Sequence, residues 1–282
     1  MSGRIFLLGA GYCARALALE LLSEGWEVRG TARTSEGLSE LEGLGIQPWR
    51  FGPDHSLESA AWSGVSHALS SIPPSAAGDP ALEVLRELAP SLEWLGYVSS
   101  TGVYGDHAGA WVDEESELRP AGSERGRRRQ AAEAAWRDLS QPWQVFRASG
   151  IYGPGRGPLQ RVLAGRARRV DAPHLFSRVH REDISAAIRA SLARPRPGGI
   201  YNLCDEEPAT SAEVTAYACR LLGREVPPLE PFVLEELPPA VASFYRDRRQ
   251  VRSVRLRSEL GLELRYPTYR EGLTADAAAL AP

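Results

Sequence analysis

The first residues with clear chemical potential form a glycine-rich turn near the amino terminus. The run Gly9-Ala10-Gly11-Tyr12-Cys13-Ala14 follows the apolar segment Ile5–Leu8 and fits the pattern G-x-G-x-x-A. Residues 14–22 then carry apolar side chains at helical spacing, and Trp26–Thr31 has the composition of a second strand. Such glycines allow a tight turn and let the backbone approach a pyrophosphate, which the helix N-terminus attracts. The segment predicts a dinucleotide site. An ordinary turn of an α/β protein that binds no nucleotide is the alternative.

The end of the second strand bears on which dinucleotide binds. NAD sites usually carry Asp or Glu there, which accepts a hydrogen bond from the ribose 2′-hydroxyl. Here the chain runs Gly30-Thr31-Ala32-Arg33-Thr34, without an acid. A guanidinium can bind a 2′-phosphate through two hydrogen bonds and stack on adenine. We therefore predict NADP, bound through Arg33 and Thr34, and NAD stays open. Alternatively, Arg33 is a solvated residue at a helix start and the site does not discriminate.

Composition excludes several classes of protein. The chain has 282 residues, of which 43% are hydrophobic and 24% charged, and its net charge is −3. This balance is ordinary for a globular protein and gives no attraction to nucleic acid or anionic membranes. The first apolar run is too short for a signal peptide or a membrane span. Three scattered cysteines lack metal or redox spacing. We predict a cytoplasmic protein without a metal, whose partner is a small molecule.

Strand and helix signals alternate through the first half of the chain, which predicts a doubly wound parallel sheet of the Rossmann type. The further predicted elements are Ser35–Gly43, Ile46–Phe51, His67–Ile72, Asp79 to about Leu88, Trp94–Ser99, Ser123–Leu139 and Trp143–Arg147. Residues 1–150 are predicted to form the dinucleotide-binding domain. Beyond Gly150 glycine and proline become frequent, and residues 151–282 are predicted to form a smaller α/β substrate lobe interleaved with the sheet. Its predicted helices are Arg181–Ala193, Ser211–Leu222 and a short one at Leu234–Leu237.

Several ordered segments carry a resemblance to a known family. They are the glycine turn, Ser71-Ile72-Pro73-Pro74, the stretch Tyr97–Gly105, the stretch Arg147–Gly155 and His180-Arg181-Glu182-Asp183. With them the chain resembles the extended short-chain dehydrogenase/reductases, the NAD-dependent epimerase/dehydratase family. The resemblance implies a Rossmann sheet with a small C-terminal substrate lobe. It places cofactor contacts at Gly9, Gly11, Tyr12, Cys13, Ser71 and Ile72. The family's first glycine falls on Leu8 in this chain, which shortens the glycine pattern.

The resemblance also assigns catalytic positions. The family uses Ser or Thr with a Tyr and a Lys four residues apart on one helix face, and these positions fall on Ser100, Arg125 and Arg129. No Tyr occurs from Gly105 to Phe146. Because the pKa of Arg lies above 12, it cannot replace Tyr as a proton carrier. Arg129 can still bind ribose hydroxyls, and Arg125 can bind a carboxylate or phosphate. The alternative is a solvated arginine face paired with acidic neighbours on the helix.

Further residues complete the predicted site. Thr101, Arg147, Tyr152 and Arg156 are predicted to contact a substrate, which the arginines suggest is anionic. The family's dehydratases carry Asp-Glu where this chain has Thr101 and Gly102, which argues against sugar 4,6-dehydration. Structural roles are predicted for His180, Asp183, Tyr104 and Asn202. We predict an NADP-dependent, epimerase-like oxidoreductase with an atypical active site, as a monomer or homodimer. A non-catalytic dinucleotide-binding regulator or scaffold is the alternative.

Overall fold

The computed structural model describes residues 3–87 and 92–280. The strands are β1 (Arg4–Leu8), β2 (Glu27–Ala32), β3 (Gln47–Arg50), β4 (His67–Ser70), β5 (Trp94–Ser100), β6 (Trp111–Val112), β7 (Trp143–Ala148), β8 (Gly150–Tyr152), β9 (Arg169–Val170), β10 (Arg178–His180), β11 (Ile200–Leu203), β12 (Leu229–Glu230) and β13 (Gln250–Val251). The α-helices are α1 (Tyr12–Ser23), α2 (Ser35–Gly43), α3 (Pro80–Glu87), α4 (Glu124–Arg137), α5 (Pro158–Leu163), α6 (Arg181–Ala193), α7 (Ser211–Leu221), α8 (Pro239–Ala242), α9 (Arg255–Leu260) and α10 (Tyr269–Ala278).

Seven strands form one sheet in the order β11-β7-β5-β4-β1-β2-β3. Strands β1 and β2, β1 and β4, β2 and β3, and β4 and β5 pair in parallel. The chain runs outward from β1 to β3 and then returns to β4 on the other side of β1. In open α/β sheets ligands bind outside the carboxyl ends of the strands at this reversal. The predicted doubly wound Rossmann sheet is confirmed, and its reversal lies beside the glycine turn.

The predicted elements agree closely with the observed ones. Helices α2 and α6 have the predicted bounds. Strands β3 and β4 are shorter than predicted, while β5 extends by one residue to Ser100. The helix predicted to reach Leu88 is α3, and Leu88 itself lies outside the described residues. The short helix predicted at Leu234–Leu237 is a 3₁₀ turn, Leu234–Glu236.

The chain divides into two compact units. One contains residues 1–99, 128–147 and 185–201, and the other contains residues 100–127, 148–184 and 202–282. The first unit thus takes its residues from three separate stretches of chain. Short parallel strand pairs, β8 with β10, β9 with β12 and β6 with β13, belong to the second. Within the described residues no helix is long and apolar enough to cross a membrane.

The core of the first unit surrounds the central strands. The apolar run from Ile5 to Leu8 is fully buried, as expected for a central strand covered on both faces. Tyr97 of β5 stacks on Trp136 of α4 with the ring centroids 4.7 Å apart. The second unit has its own core, in which Tyr152 packs with residues of α5, α7 and α10. Each unit therefore buries a separate set of apolar side chains.

Candidate functional site

Gly9 is required by the fold of the turn itself. Its φ angle is +81°, a conformation that side chains rarely adopt. A Cβ atom at this position would lie 2.7 Å from Cγ1 of Ile72. The N–H of Gly9 donates a hydrogen bond to Oγ1 of Thr31 at 2.7 Å. The turn is thus fixed against the ends of β2 and β4.

At Gly11 neither the backbone angles nor the packing requires glycine. Its φ and ψ angles, −88° and −159°, are extended values that any residue can adopt. A Cβ atom there would find nothing nearer than the carbonyl oxygen of Gly9 at 3.9 Å. Gly11 is the N-cap of α1, where no side-chain capping bond forms and no acid occupies the first turn. Open space in front of an uncapped helix N-terminus is what a pyrophosphate needs.

The loop after β4 is bonded to the same turn. The Oγ of Ser71 donates to the carbonyl oxygen of Gly9 at 2.5 Å, and its N–H donates to that of Leu8 at 2.9 Å. The side chain of Ile72 packs directly against Gly9, which is why a Cβ atom on Gly9 would come so close to it. The structure therefore brings the predicted cofactor residues Gly9, Gly11, Ser71 and Ile72 together. Tyr12 and Cys13 form the first positions of α1.

A second arginine, Arg50, lies near Arg33, the residue predicted to bind the 2′-phosphate of the cofactor. Thr34 caps α2 by accepting a hydrogen bond from the N–H of Gly37 at 3.1 Å. The exposed Arg33 extends along Gly52, where a Cβ atom would lie 3.3 Å from Cγ of the arginine. The Nη2 of Arg50 donates to Oγ of Ser35 at 2.8 Å. Arg50 carried no motif signal, although it lies within the predicted strand Ile46–Phe51.

Arg129, at the family's lysine position, is anchored to strand β5. Its Nη1 donates to the hydroxyl of Tyr97 at 2.9 Å and to the carbonyl oxygen of Val98 at 2.7 Å. The guanidinium carbon also lies 5.4 Å from the centroid of the Tyr97 ring. Tyr97 is fully buried, and burial raises the pKa of its hydroxyl well above the ordinary value. This nitrogen of Arg129 therefore holds the helix on the sheet.

One turn further along α4, Glu133 forms a buried ion pair with Arg147. Nη2 of Arg147 lies 2.7 Å from Oε2 of Glu133, and the two residues are 2% and 1% exposed. The Oγ of Ser99 donates to Oε1 of the same carboxylate at 2.6 Å. The group joins α4 to β5 and β7. Since the charge of Arg147 is compensated inside the unit, we leave this residue out of the substrate site.

In the second unit, Ser100 lies at a tightly packed turn. Its Oγ accepts a hydrogen bond from the N–H of Gly102 at 3.1 Å and so begins the 3₁₀ turn Thr101–Tyr104. A Cβ atom on Gly102 would lie 3.4 Å from this Oγ and 3.9 Å from Nη2 of Arg249. Within the described part of the chain, Nε of Arg249 is buried without an acceptor. Arg249, which carried no motif signal, is a cation at the same turn as Ser100, and its Nη1 donates to the carbonyl oxygen of Gly105 at 3.2 Å.

Arg125 lies at the start of α4, close to the same turn. Gly126 packs so tightly that a Cβ atom would lie 3.0 Å from the carbonyl oxygen of Gly102. The guanidinium carbon of Arg125 lies 4.6 Å from the centroid of the Phe244 ring, which is 52% exposed. The family's tyrosine position thus holds an exposed cation stacked on an aromatic ring.

The predicted substrate residues of the second unit differ in exposure. Arg156 is exposed at the Gly153–Gly157 turn. Thr101 is 7% exposed and Tyr152 2% exposed. The hydroxyl of Tyr152 packs against Gly272, and burial raises the pKa of that hydroxyl. We leave Tyr152 out of the substrate site because its side chain does not reach the surface.

Several polar residues with predicted structural roles form hydrogen bonds within the second unit. Nδ1 of His180 accepts from the N–H of Glu182 at 3.2 Å at the start of α6. The carboxylate of Asp183 accepts two backbone N–H bonds from the loop before α10, at 2.7 and 3.2 Å. The hydroxyl of Tyr104 donates to Oδ1 of Asn202 at 2.8 Å. Nε2 of His180 also lies 3.2 Å from Oδ1 of Asp276, so each of these groups is bonded within the second unit.

Two further features of the described residues concern metal ligands and cavities. No group of three or more His, Cys, Asp or Glu side chains in those parts of the chain is arranged to hold a metal ion. A cavity of about 570 Å³ in the second unit is lined by Trp111, Asp205, Arg252 and their neighbours. None of the predicted site residues lines it, and we assign it no role.

Comparisons with known proteins agree with the fold. No protein-family model matches the chain. It is 31% identical over 240 residues to Protein YeeZ of Escherichia coli (strain K12), which covers 79% of this chain and 85% of that protein. A functionally unknown conserved protein from Silicibacter pomeroyi DSS is 42% identical with a TM-score of 0.91, covering 99% of this chain and all of that one. UDP-glucuronic acid 4-epimerase from Bacillus cereus, in complex with NAD, is 16% identical with a TM-score of 0.75 and coverage of 98% and 97%. The last likeness establishes a shared fold.

Proposed function

This chain belongs to the protein family that includes Protein YeeZ of Escherichia coli, and we propose that it is an NADP-binding, epimerase/dehydratase-like oxidoreductase with an atypical active site. The observation that carries the proposal is the geometry at Gly11. The fold requires a glycine at position 9, whereas at position 11 the open space in front of the helix N-terminus leaves room for a bound phosphate group. Structures with the same fold bind NAD, which supports a nicotinamide dinucleotide as that molecule.

The residues present fit such a cofactor. The pyrophosphate would bind at the Gly9–Gly11 turn and the N-terminus of α1, where no acid opposes it. The 2′-phosphate would bind Arg33 and the N-terminus of α2 at Thr34. When bound, the dinucleotide supplies a carbon that gives or takes a hydride. The preference for NADP over NAD rests on Arg33 and on the lack of an acid at the end of β2.

The substrate is proposed to be a small anionic molecule. Ser100 offers a hydroxyl, and the cations Arg125 and Arg249 lie at the same turn of the second unit. Arginine binds carboxylates and phosphates but does not exchange protons near neutral pH. Catalysis would therefore need a proton from solvent or from the substrate itself. Arg156 is a further proposed contact at the surface of this unit.

A second candidate function is a dinucleotide-binding regulator without turnover. The contacts of Arg129 favour it, because the family's lysine position is here bonded to Tyr97 and the Val98 carbonyl. The family's tyrosine position is also occupied by a residue that cannot carry a proton. The two functions share the cofactor site and differ in whether a hydride passes between the bound cofactor and a substrate.

Calorimetry tests the proposal. We expect the purified protein to bind NADPH, and Gly11→Val to lose at least about tenfold in affinity because its side chain fills the space a pyrophosphate needs. Gly43→Val is the matched control, since a Cβ atom at Gly43 meets nothing within 4 Å and is likewise tolerated by the packing. Absence of any heat with NADPH, NADH and their oxidised forms would contradict the proposal. NADPH oxidation that depends on added carbonyl compounds would favour the enzyme over the regulator.

A further inference from the structure

A second guanidinium lies beside the end of β2. Strands β2 and β3 pair with Ala32 opposite Arg50, so Arg33 and Arg50 both lie at the carboxyl edge of the sheet. The Nη2 of Arg50 is bonded to Oγ of Ser35, and its Nη1 lies 3.5 Å from the carbonyl oxygen of Arg33. Arg50 therefore extends across the first turn of α2, all within the first unit.

The charge at this place is unbalanced. Arg33 is exposed, and its side chain runs along Gly52 toward the strand that carries Arg50. Glu36, in the first turn of α2, is a nearby acid, and its pKa is lowered by its own backbone N–H, by the Thr34 hydroxyl and by Arg50. Two cations beside one exposed carboxylate, at the positive end of a helix, leave a net positive site. A phosphate dianion would match it.

We propose that Arg50 is a second cofactor-specificity residue, which binds the 2′-phosphate of NADP(H) together with Arg33. The inference rests on the proposed dinucleotide site and extends it to a residue outside the glycine motif and the end of β2. Arg33 would bind the phosphate from the β2 side and Arg50 from the β3 side. Ser35 would keep the Arg50 guanidinium in place, since the two are already hydrogen bonded at 2.8 Å.

The test compares ligands with and without the 2′-phosphate. Affinities for NADPH and NADH, and for adenosine 2′,5′-bisphosphate and ADP, would be measured by calorimetry for the wild type, Arg33→Ala, Arg50→Ala and the double variant. We expect Arg50→Ala to weaken NADPH and the bisphosphate about tenfold and to leave NADH and ADP within about twofold. Arg4→Ala is the control, because Arg4 lies at the opposite, amino-terminal edge of the same sheet.

The outcomes separate this inference from the function it rests on. A wild type that binds no dinucleotide would overturn both. A wild type that prefers NADPH, with Arg50→Ala showing no loss or an equal loss for NADPH and NADH, would overturn the role of Arg50 alone. Circular dichroism of each variant shows whether the fold is retained. The bisphosphate gives a second reading, because it lacks the nicotinamide half of the cofactor.

Discussion

The guanidinium of Arg129 is bonded to the hydroxyl of Tyr97, 2.9 Å away, although Arg129 occupies the position of the family's catalytic lysine. A phenol beside a cation resembles the expected catalytic pair. Tyr97, however, comes from strand β5, is fully buried and stacks on Trp136. Burial raises the pKa of this phenol, which makes it a poor proton donor at neutral pH. The pair therefore anchors helix α4 to the sheet.

Removing the Tyr97 hydroxyl should affect stability and leave cofactor binding unchanged. Tyr97→Phe leaves the ring stack and deletes one hydrogen bond, so we expect a loss of about 1 kcal/mol in the free energy of unfolding. Urea unfolding measures the loss, and calorimetry should give an unchanged affinity for NADPH. Loss of turnover with unchanged stability would show instead that this hydroxyl takes part in the chemistry.

The buried pair of Glu133 and Arg147 should be costly to break. Glu133→Ala leaves the Arg147 charge without its carboxylate partner, and we expect about 3–5 kcal/mol of destabilisation. Replacing both residues, as Glu133→Leu with Arg147→Met, should recover much of the loss because no unpaired charge remains. Urea unfolding of the single and double variants checks this. Additive losses would show that the two residues act independently.

The pH dependence of stability should reflect Asp205. Burial raises the pKa of this carboxyl to about 7 in the folded chain, compared with the ordinary value of 3.8 for an exposed aspartate. The folded state therefore holds the proton more tightly, so this contribution to stability is present below pH 4 and is lost as the pH rises through 7. Asp205→Asn cannot ionise, and the variant should lose less melting temperature than the wild type between pH 5 and 8. Parallel curves for the two proteins would rule this origin out.

Arg125 should matter for anions and little for the cofactor. In NADPH-saturated protein, we expect Arg125→Ala to weaken binding of the probe anions phosphate and citrate about fivefold by calorimetry, because it removes an exposed charge beside the Ser100 turn. The affinity for NADPH itself should stay within about twofold. Arg137→Ala, in the last turn of the same helix, is the control. If dinucleotide binding vanishes in Arg125→Ala, the residue has been assigned to the wrong site.

The fold was largely predictable because its signals are local. The glycine pattern and the alternation of apolar strands with helices predicted the sheet, and α2 and α6 have the predicted bounds. Side-chain partners across the sheet left no such signal. The burial of Arg147 depends on Glu133, 14 residues earlier in the chain, and no motif links them. Arg50 lies near Arg33 only because β2 pairs with β3, and Arg249 lies near Gly102 although the two are far apart in the chain. A single sequence reveals neither contact.

A crystal structure of the protein grown with NADPH tests the central claim most directly. We predict that the pyrophosphate lies against Gly9 and Gly11, that the 2′-phosphate lies between Arg33 and Arg50, and that no tyrosine hydroxyl contacts the hydride-carrying carbon. A dinucleotide bound elsewhere on the chain, or a tyrosine hydroxyl beside that carbon, would contradict the account.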